Sequence, residues 1–161
     1  MADSKLGEPA IIARLVTLPM TSVDKDLDST IERTVKGKYE GRCVAEGYVM
    51  SDSVKVSARD AGRIDGHHVH FKLAISCDIC LPTDGMIVRC IAKTVTTTAG
   101  VRAEIAMDPS PLVIYLARDH HQQRDDYNKI KVGDQLNVKV IGQRFEMNDP
   151  YISVIGQLLD I

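Results

Sequence analysis

The stretch VHFKLAISCDICLPTDGMIVRCIAKTVTTTAGVRAEI, Val69 to Ile105, carries two β-patterns with a break between them. In its first part Val69, Phe71, Leu73 and Ile75 alternate with polar or small residues, the period of a strand with one buried face. Pro82-Thr83-Asp84-Gly85 then interrupts the run with turn-forming residues. Beyond it Met86 to Val95 and Val101 to Ile105 read as strands, with Ala99-Gly100 as a turn between them. The break divides the chain into residues 1–82 and 83–161.

Toward the N-terminus, Ile11 to Leu18 reads as a strand that Pro19 ends. Val23, Leu27, Ile31 and Val35 recur at i+4 spacing, with Thr21 and Ser22 as caps and Gly37 as a stop, which predicts a helix over about residues 22 to 36. Short β-runs follow at Gly41 to Met50 and Val54 to Ala58, with turns at Gly62 and Asp65-Gly66. The first half is therefore expected to be one helix on a small antiparallel sheet. Toward the C-terminus, Leu112 to Ala117, Leu136 to Ile141 and Tyr151 to Ile155 complete five strands, and the long polar segment Arg118 to Lys131 separates the third from the fourth. That order predicts a five-stranded OB barrel, so the fold class is α+β.

With 161 residues, 44% hydrophobic and 26% charged, the chain suits one domain or two compact ones and not a disordered segment. A formal net charge of -2 excludes a global basic field, so any contact with nucleic acid is local. The start MADSKLGEP has no apolar signal core and no stretch reaches the length of a membrane span; the expectation is a soluble, intracellular protein with no membrane partner.

Taken in order, TVKGKYEGRCVAEGYVM (residues 34–50), the stretch quoted above and VGDQLNVKVIG (residues 132–142) resemble the RNA polymerase stalk subunit family: the seventh subunit of RNA polymerase II, its archaeal counterpart and related proteins of large DNA viruses. The matching pieces include YEGRC at Tyr39 to Cys43 and PTDGMIV at Pro82 to Val88, and the resemblance covers nearly the whole chain. It implies an N-terminal tip domain (1–82) that docks on the polymerase core and an OB domain (83–161) near the exiting transcript. It also implies a smaller helical partner of the fourth-subunit type, nascent RNA as a contact, no catalysis, no cofactor, and a location in the nucleus or, for a viral member, in the viral factory or virion. Where OB domains of this type carry aromatics on the second strand, this chain has Val101, Arg102 and Ala103, leaving Tyr115 on the third. The alternative is a free-standing OB-fold RNA-binding accessory protein.

For RNA, the candidate surface is Lys93, Arg102, Tyr115, Arg118, His120, His121, Arg124, Lys131, Arg144 and Phe145: rings on which bases stack and cations that neutralise phosphates. For docking, Lys36, Gly37, Tyr39, Gly41, Gly47 and Tyr48 interleave glycines that permit close backbone approach with aromatic anchors. Cys77 and Cys80 have the CxxC spacing of a zinc knuckle or redox pair, but no second pair accompanies them; Cys43 and Cys90 stand alone and His67, His68 and His70 lie on the neighbouring run. The four cysteines are read as half-buried strand residues and not as a metal site, with a zinc-dependent or redox protein using Cys77 and Cys80 as the third reading. Asp119, His120, His121, Asp125 and Asp126 lack a nucleophile motif or phosphate loop beside them and read as a solvated loop, so no catalytic site is expected.

Overall fold

The computed structural model describes residues 6–161, so Met1 to Lys5 of the polar start lie outside the described residues. Strands β1 (Glu8–Pro19) and β6 (His68–Cys80) form an unbroken antiparallel ladder from Glu8 opposite Ile79 to Pro19 opposite His68. The other edge of β6 takes three short strands in series: β5 (Arg63–Asp65), β4 (Lys55–Arg59) and β3 (Gly47–Val49), with β2 (Cys43–Val44) paired to β3. β6 is thus the spine of the sheet, as its alternating apolar residues require. Gly47 (φ +137) is fixed by this crowding, since a Cβ there would lie 2.7 Å from the Cys80 carbonyl oxygen.

One face of the sheet is covered by α1 (Leu27–Tyr39), which buries Ile31, Val35 and Tyr39 against Ile12, Val16, Leu18, Val69, Phe71, Leu73 and Ile75. The helix begins later and ends later than its spacing predicts. After Pro19 the chain makes a 3-10 turn at Met20–Ser22, and the Asp24 carboxylate accepts the Asp26 N–H at 3.0 Å, so Val23 is exposed outside the helix. Gly37 does not stop the helix: it sits on the solvent side, where a glycine costs about 1 kcal/mol relative to alanine. Burial of Tyr39 draws the helix half a turn past it, and Gly41 (φ +71) follows the end instead.

The second half is a closed barrel of β7 (Ile87–Thr96), β8 (Gly100–Glu104), β9 (Leu112–Ala117), β10 (Gln135–Arg144) and β11 (Ile152–Asp160). The order around it is β7-β8-β9-β11-β10 and back to β7, antiparallel throughout except for β9 and β11, which run parallel with Leu112 opposite Ile152. This is an OB-like barrel. β10 runs beyond Ile141 because a bulge between Val140 and Gly142 lets the pairing continue to Arg144, and β11 runs beyond Ile155 to Asp160 by pairing with Val140 back to Asn137.

The polar segment between β9 and β10 is not simply solvated. It forms 3-10 turns at Arg118–His120 and Tyr127–Lys129 and sends Tyr127 and Ile130 into the barrel core, where the Tyr127 hydroxyl donates to the Leu116 carbonyl at 2.9 Å.

Sheet and barrel are joined by more than the Pro82 turn. Cys43, Tyr48 and Cys80 pack into the barrel core, the Cys43 N–H donates to the Asp149 carbonyl at 2.9 Å, and the Asn148 N–H donates to the Cys43 carbonyl at 2.9 Å. The β10–β11 turn is therefore an extra strand-like partner for β2. Among the described residues no helix is long and apolar enough to cross a membrane.

Candidate nucleic-acid and docking surfaces

β9 places Tyr115 outward, with Arg102 of β8 opposite it on one side and Ile155 of β11 on the other. It is the one Phe or Tyr ring among the described residues that is substantially exposed, at 40%. Tyr115 forms a wall of a cleft of about 530 Å3, together with Ala117, His120, Gly142, Gln143, Arg144, Ser153 and Ile155. Gly142 leaves part of the cleft open: a Cβ there would have nothing within 4 Å. Of the predicted RNA residues, Tyr115, His120 and Arg144 come together here.

The rest are held elsewhere. His121 is buried and cannot meet a ligand: its Nδ1 bonds the Ala117 carbonyl at 2.7 Å, its Nε2 accepts the Leu158 N–H at 2.9 Å, and its ring stacks on Tyr127 at 4.6 Å. That pattern fixes the neutral tautomer with the proton on Nδ1. Arg124 forks onto Asp126 and donates to the Leu158 and Leu159 carbonyls, and this ion pair holds the Asp126 carboxyl below its ordinary pKa. Arg118 donates to the Thr97 carbonyl and Arg102 pairs with Glu104 at 3.1 Å. Phe145 is half-buried on the barrel core, Lys93 lines a different hollow with Glu104 and Asp108, and Lys131 lies exposed in the turn before β10.

The docking anchors also move inside. Tyr39 and Tyr48 are buried, so neither ring is presented to a partner; Gly41 and Gly47 serve a helix end and a close strand approach, and only Lys36 and Gly37 are exposed, on the solvent side of α1. The bare apolar surface is on the other side of the sheet. Ile11 and Leu15, 73% and 56% exposed, point from β1 away from the helix, beside Ala13 and opposite Ser76, Ala74 and Lys72 of β6. The outer edge of β1 pairs with no other strand among the described residues.

No protein-family model and no curated protein matches this chain.

Cys77 and Cys80 lie three residues apart on one strand and so face opposite sides of it, Cys77 into the helix-covered core and Cys80 into the barrel core. They cannot close on one tetrahedral ion without breaking the ladder. Burial pushes the thiols of Cys43, Cys80 and Cys90 up to about 11, 12 and 12, and that of Cys77 up as well, so all four stay protonated and weakly nucleophilic near neutrality. On the bare face His70 bridges the Thr17 hydroxyl at 2.7 Å and Asp65 at 3.3 Å. This tie joins β1, β5 and β6 across the sheet.

The position of Ile11 and Leu15 is present in the sequence as the odd-numbered half of a strand, but only the helix position shows which half is covered. Sequence reasoning misses the cleft because it depends on β9 and β11 being neighbours.

Proposed function

We propose that this chain is a non-catalytic subunit of a DNA-directed RNA polymerase, of the stalk type, in which the N-terminal unit docks on the core enzyme and the barrel contacts the transcript. The observation that carries the reading is the bare face of the first sheet. Ile11, Ala13 and Leu15 form an apolar stripe on an edge strand, which is the surface expected of a part that folds against a larger assembly. The resemblance of residues 34–50, 69–105 and 132–142 to stalk subunits adds to it, as does the succession of a helix-backed sheet and an OB-like barrel.

On this reading the action is positional. The sheet would bias the polymerase toward the conformation it contacts better, and the barrel would raise the concentration of a weak RNA site near the emerging transcript. A smaller helical partner of the fourth-subunit type would complete the stalk.

The test is affinity purification of the tagged chain from its native source at moderate salt, followed by mass spectrometry. Near-stoichiometric recovery of the large polymerase subunits is the expected result. Recovery of RNA or ribosomal components without polymerase would overturn it in favour of a free-standing RNA-binding protein.

A further inference from the structure

The surface on which OB barrels usually hold single strands is the outer face of the second and third strands. Here the second strand, β8, carries no ring of its own and offers Arg102 already paired with Glu104 at 3.1 Å, a local charge balance beside Tyr115. Tyr115 is shared between that face and the next one round, where β9, β11 and β10 open into the cleft. On that side it meets Ile155, an apolar floor 49% exposed, and the gap left by Gly142. Arg144 stands at the rim with its side chain 86% exposed and Glu146 no closer than 3.9 Å, and His120 is exposed at the opposite rim.

We propose that this cleft, and not the β8–β9 face, seats one unstacked nucleobase of a single-stranded RNA, with Tyr115 stacking on the base and Arg144 facing its phosphate. The inference rests on the transcript-contacting part of the function proposed above and gives it an address. A cleft of about 530 Å3 is within the range of small-ligand sites, and a ring wall with an apolar floor suits the flat face of any base. A rim cation supplies the sequence-independent attraction, so binding is weak and falls with salt.

Gly142 makes the idea testable without damaging the fold. Its backbone is outside the left-handed region and a new side chain would enter open space, so Gly142→Leu fills the cleft while the barrel stays intact. Fluorescence anisotropy of the full chain with a labelled RNA octamer at low salt reads the effect, with unfolding midpoints as the control for structure. Gly142→Leu and Tyr115→Ala are each expected to weaken binding about tenfold, Tyr115→Phe to restore it, Arg144→Ala to lower the salt slope by about 1, and Arg102→Ala to change little. A DNA octamer of the same sequence should bind about as tightly, since neither a stacking ring nor a rim cation reads the 2′-hydroxyl; DNA bound many-fold more weakly would overturn the assignment of binding to Tyr115 and Arg144.

Unchanged binding in Gly142→Leu and Tyr115→Ala with a loss in Arg102→Ala would place RNA on the β8–β9 face and overturn the inference, leaving the polymerase reading intact. Polymerase recovery with no RNA binding by the wild-type chain would do the same. The expected mutant pattern without polymerase recovery would support the cleft and remove the stalk reading.

Discussion

The sheet and the barrel are built from strands of similar composition, yet they end in different states of completion. In the barrel every strand has two neighbours and the interior is sealed by Tyr127 and Ile130 from the segment between β9 and β10. In the sheet, β1 has one neighbour, and α1 covers one face only. Closure removes edges, whereas an open sheet leaves backbone groups and a side-chain face to be satisfied by something else. The barrel leaves no strand edge open and takes Cys43, Tyr48 and Cys80 of the first half into its core, while the sheet carries the surface that asks for a partner.

The largest expected effect breaks the closed half. Gly100 (φ +119) begins β8, and a Cβ there would overlap the Leu116 carbonyl oxygen. Gly100→Val combines backbone strain with overpacking and should cost about 3–5 kcal/mol in urea unfolding, while Gly142→Ala should stay within about 0.5 kcal/mol. In the open half, Ile31→Ala truncates one of the two fully enclosed side chains of α1 and should cost about 3 kcal/mol. Because Cys43, Tyr48 and Cys80 belong to the barrel core, both substitutions should lower a single cooperative transition; two separated transitions would show that the halves unfold independently.

His121→Ala comes next. It leaves the Leu158 N–H and the Ala117 carbonyl without their partner and should cost about 2 kcal/mol, with faster hydrogen exchange at Leu158 as the specific sign.

Alkali should act on the barrel core, which holds Cys43, Cys80 and Cys90. The cysteine pKa values are raised on folding from 9.0 to about 11 for Cys43 and about 12 for Cys80 and Cys90. The unfolded chain therefore loses protons first, so stability is intact below pH 9 and declines as pH rises from 9 toward 12. Thermal unfolding between about pH 8 and 10.5 would reveal the decline, and a thiol reagent at about pH 8 should label the chain only after denaturation. The smallest effect on stability is expected for Ile11→Ser with Leu15→Ser, within about 0.5 kcal/mol, since both side chains already face solvent. The same pair should abolish co-purification of polymerase subunits, which sets the open face apart from the closed barrel.

Much of this is legible in the chain. The alternation of Val69, Phe71, Leu73 and Ile75 marks the buried face of β6, and the five β-runs after Pro82 correspond to the five barrel strands. The helix lies in the region its spacing predicts but is shifted, because the Asp24 turn at its start and the burial of Tyr39 at its end outweigh local signals. His121 has no distinguishing mark within RDHHQQRDD; the apolar Tyr127 and Ile130 downstream are the hint that this segment folds back.

The sequence by itself determined the periodicities, hence which residues are strand or helix, and the net charge that keeps any RNA contact local. Those are properties of near neighbours along the chain. Only the tertiary structure decided that Tyr115 meets Ile155 and Gly142, that Cys77 and Cys80 part into different cores, and that Ile11 and Leu15 are left bare. Each of these depends on which distant segment lies beside a strand, and pairing of residues far apart in the chain leaves no local pattern to read.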